Sequence, residues 1–271
     1  MKMKNRVQDF AKYVSLNVMG MIGLSCYILA DTFFVSKGLG TDGLTALNLA
    51  IPIYSFIHGS GLMIGMGGGT RYSIQKSQKD SAAANRTFTH ALYLAAVFAV
   101  FFVAVGLLFA GDIVWIFGAR ENVFNMSRTY LRVILSFAPA FLLNNVLLCF
   151  VRNDGAPQLS MAAMIGGSLS NVVLDWVFIF PCGMGIFGAA FATGLAPIIS
   201  MLILSPHFIR KHNKFHPVKC RPQARQAGWI LSSGVPSLVT EVSSGVVMIV
   251  FNSIIMNLNG NVGVAAYGVI A

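Results

Sequence analysis

Residue 175 is an aspartate in "SNVVLDWVFIF" (170–180), with Val172, Val173 and Leu174 before it and Trp176, Val177, Phe178, Ile179 and Phe180 after it. Taking a carboxylate into hydrocarbon costs about 3 kcal/mol even on lenient scales. A chain that keeps one there uses it to exchange a proton or hold a cation on an inward polar face, or to hydrogen-bond helices together. The spacing favours the first use, because Asn171 lies one helical turn earlier and Ser168 continues the same stripe. Two more of the nine acidic residues fall inside apolar runs. Asp31, in "CYILADTFFVSKGLG", lies towards the outer end of its helix, where a carboxylate can also reach interfacial water. Glu241, in "GVPSLVTEVSSGVVMIVFN", is deeper and has Thr240, Ser243 and Ser244 around it. No basic side chain lies deep in a predicted helix to neutralise these three acids, so protons or small cations are the expected partners.

The elements that must position these acids are set by composition. Of 271 residues, 56% are hydrophobic and only 10% charged, with mean hydropathy +0.71. A soluble domain spends about a quarter of its residues on charge. Apolar runs of about twenty residues, enough to span a bilayer as helix, recur along the whole length, so the chain reads as an all-α polytopic membrane protein. The predicted spans are 13–36, 44–69, 87–110, 127–151, 159–180, 187–206 and 228–257, with an eighth helix beginning near 262.

The net charge of +10 could suggest nucleic acid, but its distribution argues against that partner. If the helices alternate, 15 of the 19 basic residues fall on one side: in the N-terminal segment, in "RYSIQKSQKDSAAANR", in "RNDGAPQ" and in "RKHNKFHPVKCRPQARQ". That is the positive-inside pattern, with a cytoplasmic N-terminus. "MKMKNR" leads into a long helix with no small-residue cleavage site, so the first helix is expected to act as its own insertion signal. Three units follow: a six-helix lobe over 1–206, a basic cytoplasmic linker over 207–227, and the beginning of a second lobe over 228–271. The linker reads as a solvated, headgroup-facing connection; its other reading, an anionic-ligand site, has no supporting motif. "GLGTDGLTALNLA" (38–50) is echoed from Leu258 by "LNGNVGVAAYGVIA", a faint parallel repeat of the kind transporters use.

Other signals are structural. "GLMIGMGGGT" (61–70) lacks the Lys-Ser/Thr of a phosphate loop and no strand precedes it, so its glycines read as close helix contacts. Pro52, Pro139, Pro197 and Pro236 interrupt predicted helices and imply bends. His58 and His90 are isolated and read as interior or interfacial residues. Cys26, Cys149, Cys182 and Cys220 have no metal spacing. Metalloprotease, serine-hydrolase and Cys/His metal patterns are absent, and no cofactor is implied, so the chain is not expected to be an enzyme.

"YILADTFFVSKGLGTDGLTALNLAIPI", "GMGGGTRYS", "NVVLDWVFIFPCGMGIFGAAFATGLA" and "GVPSLVTEVSSG" together resemble the multidrug and toxic compound extrusion (MATE) family over essentially the whole chain. The resemblance implies a twelve-helix exporter of two six-helix lobes in the cytoplasmic membrane, monomeric at full length. It would exchange drugs or other small, often cationic, organic compounds for H+ or Na+. The family's N-lobe site falls on Asp31, Asn171, Asp175 and Thr193, where Na+ is possible, and a second-lobe coupling acid falls on Glu241. Asp31 and Asp175 are then expected to share one water-accessible pocket. "VSKGLG", with Lys37, departs from the Val-Gly that often follows "DTFF" in the family. Residues 1–271 alone are not expected to transport. The alternatives are a lipid-linked oligosaccharide flippase of the same superfamily, which would carry basic residues in its cavity, and a membrane-embedded enzyme.

Overall fold

The computed structural model describes residues 2–270, with the side chains of 29–256 apart from 121 and 122 and of a few positions outside that stretch. Among the described residues there is no strand. The helical segments are α1 (Lys2–Ser77), α2 (Ser81–Ile116), α3 (Glu121–Ser136), α4 (Ala138–Asn153), α5 (Pro157–Ile179), α6 (Gly185–Ile209) and α7 (Ala224–Ile270). Helix α1 is two limbs joined at Gly40, whose φ of 68° and ψ of −159° break the helix. Only glycine enters that region without a Cβ clash, and the two limbs correspond to the first two predicted spans.

The span expected over 127–151 is a bent pair: α3 and α4 meet at 48°, with Pro139 in the first turn of α4. Proline's missing N–H is harmless there, and its ring starts the new direction. In α7, the rings of Phe251 and Tyr267 stack at 5.4 Å. A straight helix would separate residues that far apart by about 24 Å, so the chain doubles back between them, as an eighth helix near 262 requires.

Among the described residues, five segments are long and apolar enough to cross a membrane, or six when α3 and α4 count as one span. Helix α2 shows why they suit lipid: Val97, Val100, Phe101, Leu107 and Leu108 are all more than half exposed. Its opposite stripe, Ala91, Ala95, Ala99 and Phe102, is buried. The glycine run of α1 lets backbones touch. A Cβ on Gly67 would overlap the Ile230 carbonyl of α7, and one on Gly234 would overlap the Met63 carbonyl of α1. Gly61 and Gly65 meet Asn145 of α4 from the same limb. The close-contact reading of this run holds, and each of these glycines excludes any larger residue.

The linker is exposed over most of its length, as a solvated connection is, and it is also tied to the bundle. With α6 reaching Ile209 and α7 starting at Ala224, only 210–223 is non-helical, and it is strapped along the basic end of the bundle. Backbone N–H groups of His216, Val218 and Gln223 donate to Asn85 Oδ1 (2.9 Å), Thr89 Oγ1 (2.9 Å) and His90 Nε2 (3.1 Å) of α2. Phe215 is fully buried against Tyr72, Phe88, Phe150 and Phe208. Beside it, the buried Asp154 carboxylate accepts from Tyr72 Oη (2.6 Å), Lys76 Nζ (2.6 Å), His207 Nε2 (3.1 Å) and the Lys214 N–H (2.8 Å). Burial opposes its ionisation, but these donors outweigh burial and hold the carboxyl below its usual range. His90, read as isolated from sequence, is therefore a strap ligand.

Candidate functional site

Helix α5 carries Asn171 and Asp175 one turn apart on its buried face, both at 0% exposure. Helix α6 brings Thr193 alongside because Gly167 of α5 lies against Ala196 and Ser200 of α6. Thr193 Oγ1 is satisfied by the Ala189 carbonyl at 3.0 Å. With the Asn171 amide oriented to satisfy both its ends, Nδ2 donates to Asp175 Oδ2 at 3.1 Å. Its oxygen then accepts from the Thr193 N–H, also at 3.1 Å. Asp31, on the first limb of α1 and 7% exposed, lies within hydrogen-bonding reach of Asp175. One Oδ1 of each carboxyl is buried without a partner. Two carboxyls so close share a hydrogen bond only when one of them holds a proton.

Tyr130 of α3 completes the group. It is 5% exposed, within hydrogen-bonding reach of Thr193 and near enough to Asp31 and Asp175 to feel their charge. Sequence reading passed over it because it sits in the polar-looking start of a bent span. Its signal was a hydroxyl-bearing ring beside "LRVIL", a stretch that is apolar apart from Arg132.

A cavity of about 260 Å³ adjoins this group. Asn171, Thr193 and Glu241 line it, together with Tyr54, His58 and Phe141. Asp31 and Asp175 are not among its lining residues: the two acids meet in a buried layer beside it, next to Asn171 and Thr193. The physical reason is helix rotation, since Asp175 turns towards α1 and α3. Pro197 also lines the cavity, and lacking an N–H it cannot bond the Thr193 carbonyl one turn back.

Glu241 is apart from the dyad and in the cavity wall, where its Oε2 lies 3.6 Å from His58 Nδ1. That is an ion-pair distance when the imidazole is protonated. His58 in turn stacks on Tyr54 at 5.8 Å between centroids. Pairing of His58 with an acid was not legible in the sequence, because the partners are far apart in the chain and meet only where Gly59 lets α7 approach. Arg152 lines the cavity at the end of α4, where it reaches Met66 Sδ (3.2 Å) and Cys149 Sγ (3.6 Å). Among the described residues no cluster of His, Cys, Asp or Glu could hold a metal by those side chains alone. Cys149, Cys182 and Cys220 are free, and Cys26 lies outside the described side chains.

Fold and site together define a polytopic helical membrane protein with a buried acidic layer behind a cavity of mixed polarity. Residues 18–177 match the family model MatE, and the chain belongs to that family. It is 26% identical to the multidrug export protein MepA of Staphylococcus saprophyticus, over 90% of this chain and 54% of that protein. The corresponding values for MepA of Staphylococcus aureus MRSA252 are 25%, 90% and 54%. The chain thus spans about half the length of the curated relatives it matches. Among solved structures it resembles the inward-facing conformation of a multidrug resistance MATE family transporter of the MOP superfamily, with TM-score 0.82, 28% identity, 90% of this chain and 56% of that one. It also resembles an outward-facing conformation of such a transporter, with TM-score 0.78, 29% identity, 94% of this chain and 58% of that one.

Proposed function

We propose that this chain supplies the N-terminal lobe and the start of the second lobe of an ion-coupled exporter. It would move small organic, often cationic, compounds out of the cell across the cytoplasmic membrane in exchange for H+ or Na+. The observation that carries this reading is the juxtaposition of Asp31 and Asp175 next to Asn171 and Thr193, in a buried layer beside the cavity. A neutral carboxyl costs little in that layer, whereas an ionised one needs water, a cation or a donor. The charge on the pair is therefore tied to which side admits water and ions, and that tie couples a gradient to the cavity's shape. Asn171 supplies a neutral hydrogen bond to Asp175 and is itself held by the Thr193 N–H; together with the acids, the Asn171 and Thr193 oxygens could ligate Na+.

In the cavity, Tyr54, Leu62, Phe141 and Leu148 offer an apolar wall for a hydrophobic body and Glu241 an anionic group for its charge. The flippase alternative would place pyrophosphate against basic groups; among the described residues Arg152 is the one arginine or lysine that lines the cavity. The chemistry needs no enzyme-type nucleophile or cofactor, the N-terminus is cytoplasmic in this reading, and the working unit is a monomer at full length.

The test is efflux of a fluorescent organic cation from vesicles containing the full-length protein, with pH and Na+ gradients imposed separately. Asp175→Asn keeps the shape and removes the titration. Gradient-driven efflux should fall to background while expression and melting behaviour persist, and Asp31→Asn should do the same. Asp9→Asn should leave efflux intact. Unchanged efflux and ion dependence in Asp175→Asn would reduce this carboxyl to a structural hydrogen-bonding group.

A further inference from the structure

Where α1 and α7 cross at the basic end of the bundle, three side chains converge that the transport reading does not use. The Arg71 guanidinium lies over the Trp229 ring, 3.8 Å from its centroid, and the Arg225 guanidinium lies over the same ring at 4.8 Å. Arg71 is partly exposed, while Arg225 and Trp229 are exposed. Among the described residues neither arginine has a carboxylate within ion-pair distance, and Arg71 Nε is a buried donor with no hydrogen-bond partner. From Ile209 to Thr240 the sequence contains no acid at all.

Two like charges held on one ring repel each other, and the ring's π face compensates each only in part. A planar guanidinium with free N–H groups matches phosphate oxygens in a two-pronged geometry. Tryptophan beside basic side chains at a helix end is the composition of a membrane–water boundary, where anionic phosphate groups are concentrated.

We propose that Arg71, Arg225 and Trp229 form a binding site for a phosphate group, supplied by the headgroup of an anionic phospholipid in the leaflet at the basic end of the protein. The two guanidiniums clamp the phosphate oxygens and the indole sits at glycerol depth. An anion at this point neutralises the repulsion across the α1–α7 crossing and ties that crossing to the lipid composition of one leaflet.

The site has its own reporter. Residues 1–271 contain three tryptophans, Trp115, Trp176 and Trp229, so replacing Trp115, Trp176 and any tryptophan beyond residue 271 by Phe leaves the fluorescence of Trp229 alone. The full chain carrying these substitutions is reconstituted in phosphatidylcholine vesicles, with acyl-brominated phosphatidylglycerol or acyl-brominated phosphatidylcholine added at matched fractions. Brominated phosphatidylglycerol should reach half-quenching at a fraction about tenfold lower than brominated phosphatidylcholine. Arg71→Gln/Arg225→Gln should erase that difference, and Arg71→Lys/Arg225→Lys, which keeps charge but not the planar fork, should recover part of it. Lys219→Gln/Arg221→Gln, an equal loss of charge on the exposed linker, should leave it intact. Relief of quenching by inorganic phosphate would keep the site and assign its phosphate to a soluble source. Retained selectivity in the Arg71/Arg225 glutamine variant overturns the proposal. Equal loss in the Lys219/Arg221 variant also overturns it, leaving only a diffuse basic surface.

Discussion

Asn252 Nδ2 donates to the Asn48 carbonyl across 3.3 Å, joining α7 to the second limb of α1. That carbonyl is open because Pro52, four residues on, has no N–H to close the helical bond. A helix defect in α1 thus becomes the acceptor for a donor from α7. The contact lies beyond the Gly67–Gly234 crossing, so the α1–α7 seam has a backbone contact at one level and a polar clasp at another.

The clasp makes a paired prediction. Asn252→Ala should lower stability by about 0.5–1.5 kcal/mol, the range of interhelical hydrogen bonds in membranes. In a Pro52→Ala background the Asn48 carbonyl regains a helical donor, so the same Asn252→Ala change should do less. Melting temperatures of the four chains in one detergent check this, and strict additivity of the two changes would argue against the clasp.

Asp154 predicts an acid limb of stability. Burial raises its carboxyl, but Lys76, Tyr72, the Lys214 N–H and His207 hold it below the usual 3.8. A carboxyl whose folded value is depressed contributes stability that is fully present above 3.8 and disappears as pH falls through the lower folded value. Melting temperature should therefore hold constant, as far as this group acts, from neutral pH to about 4 and fall below that. Asp154→Ala should cost about 3 kcal/mol at neutral pH, because it leaves buried donors facing each other, and should flatten the acid limb. Titrating the melting temperature of both chains is the measurement.

The strap should resist proteolysis despite its lysines and arginines. Phe215 is fully buried among rings, so Phe215→Ala should cost about 3–5 kcal/mol locally and expose 210–223 to trypsin. Lys219→Ala, at an exposed position, should change neither stability nor the cleavage rate at the other linker sites. Cleavage of the unaltered chain as fast as of Phe215→Ala would mean the strap is not held as described.

Orientation is read out by the three free thiols whose side chains are described. Cys182 is exposed at the turn after α5, Cys220 half-buried in the strap and Cys149 buried. A membrane-impermeant maleimide should label Cys182 in intact cells, Cys220 only in inverted vesicles, and Cys149 in neither. Labelling of Cys220 from outside would overturn both the orientation and the span count.

The sequence by itself determined the spans, their one-sided charge and the intramembrane acids, because each depends on local composition: an apolar run of sufficient length, a cluster of lysines beside it, a carboxylate that hydrocarbon does not tolerate alone. It also showed Asn171 and Asp175 on one face, since a helical turn is a local repeat. Only the tertiary structure decided what those acids face. Whether Asp175 turns to the cavity or to Asp31 depends on the rotation of α5 against α1 and α6, which small residues such as Gly167 and Gly188 set by how closely they admit a neighbour. Tyr130 beside the dyad, His58 against Glu241, the four donors on Asp154 and the two arginines on Trp229 each join residues distant in the chain. No periodicity marks such pairs, because their proximity is a property of helix contacts and not of sequence spacing.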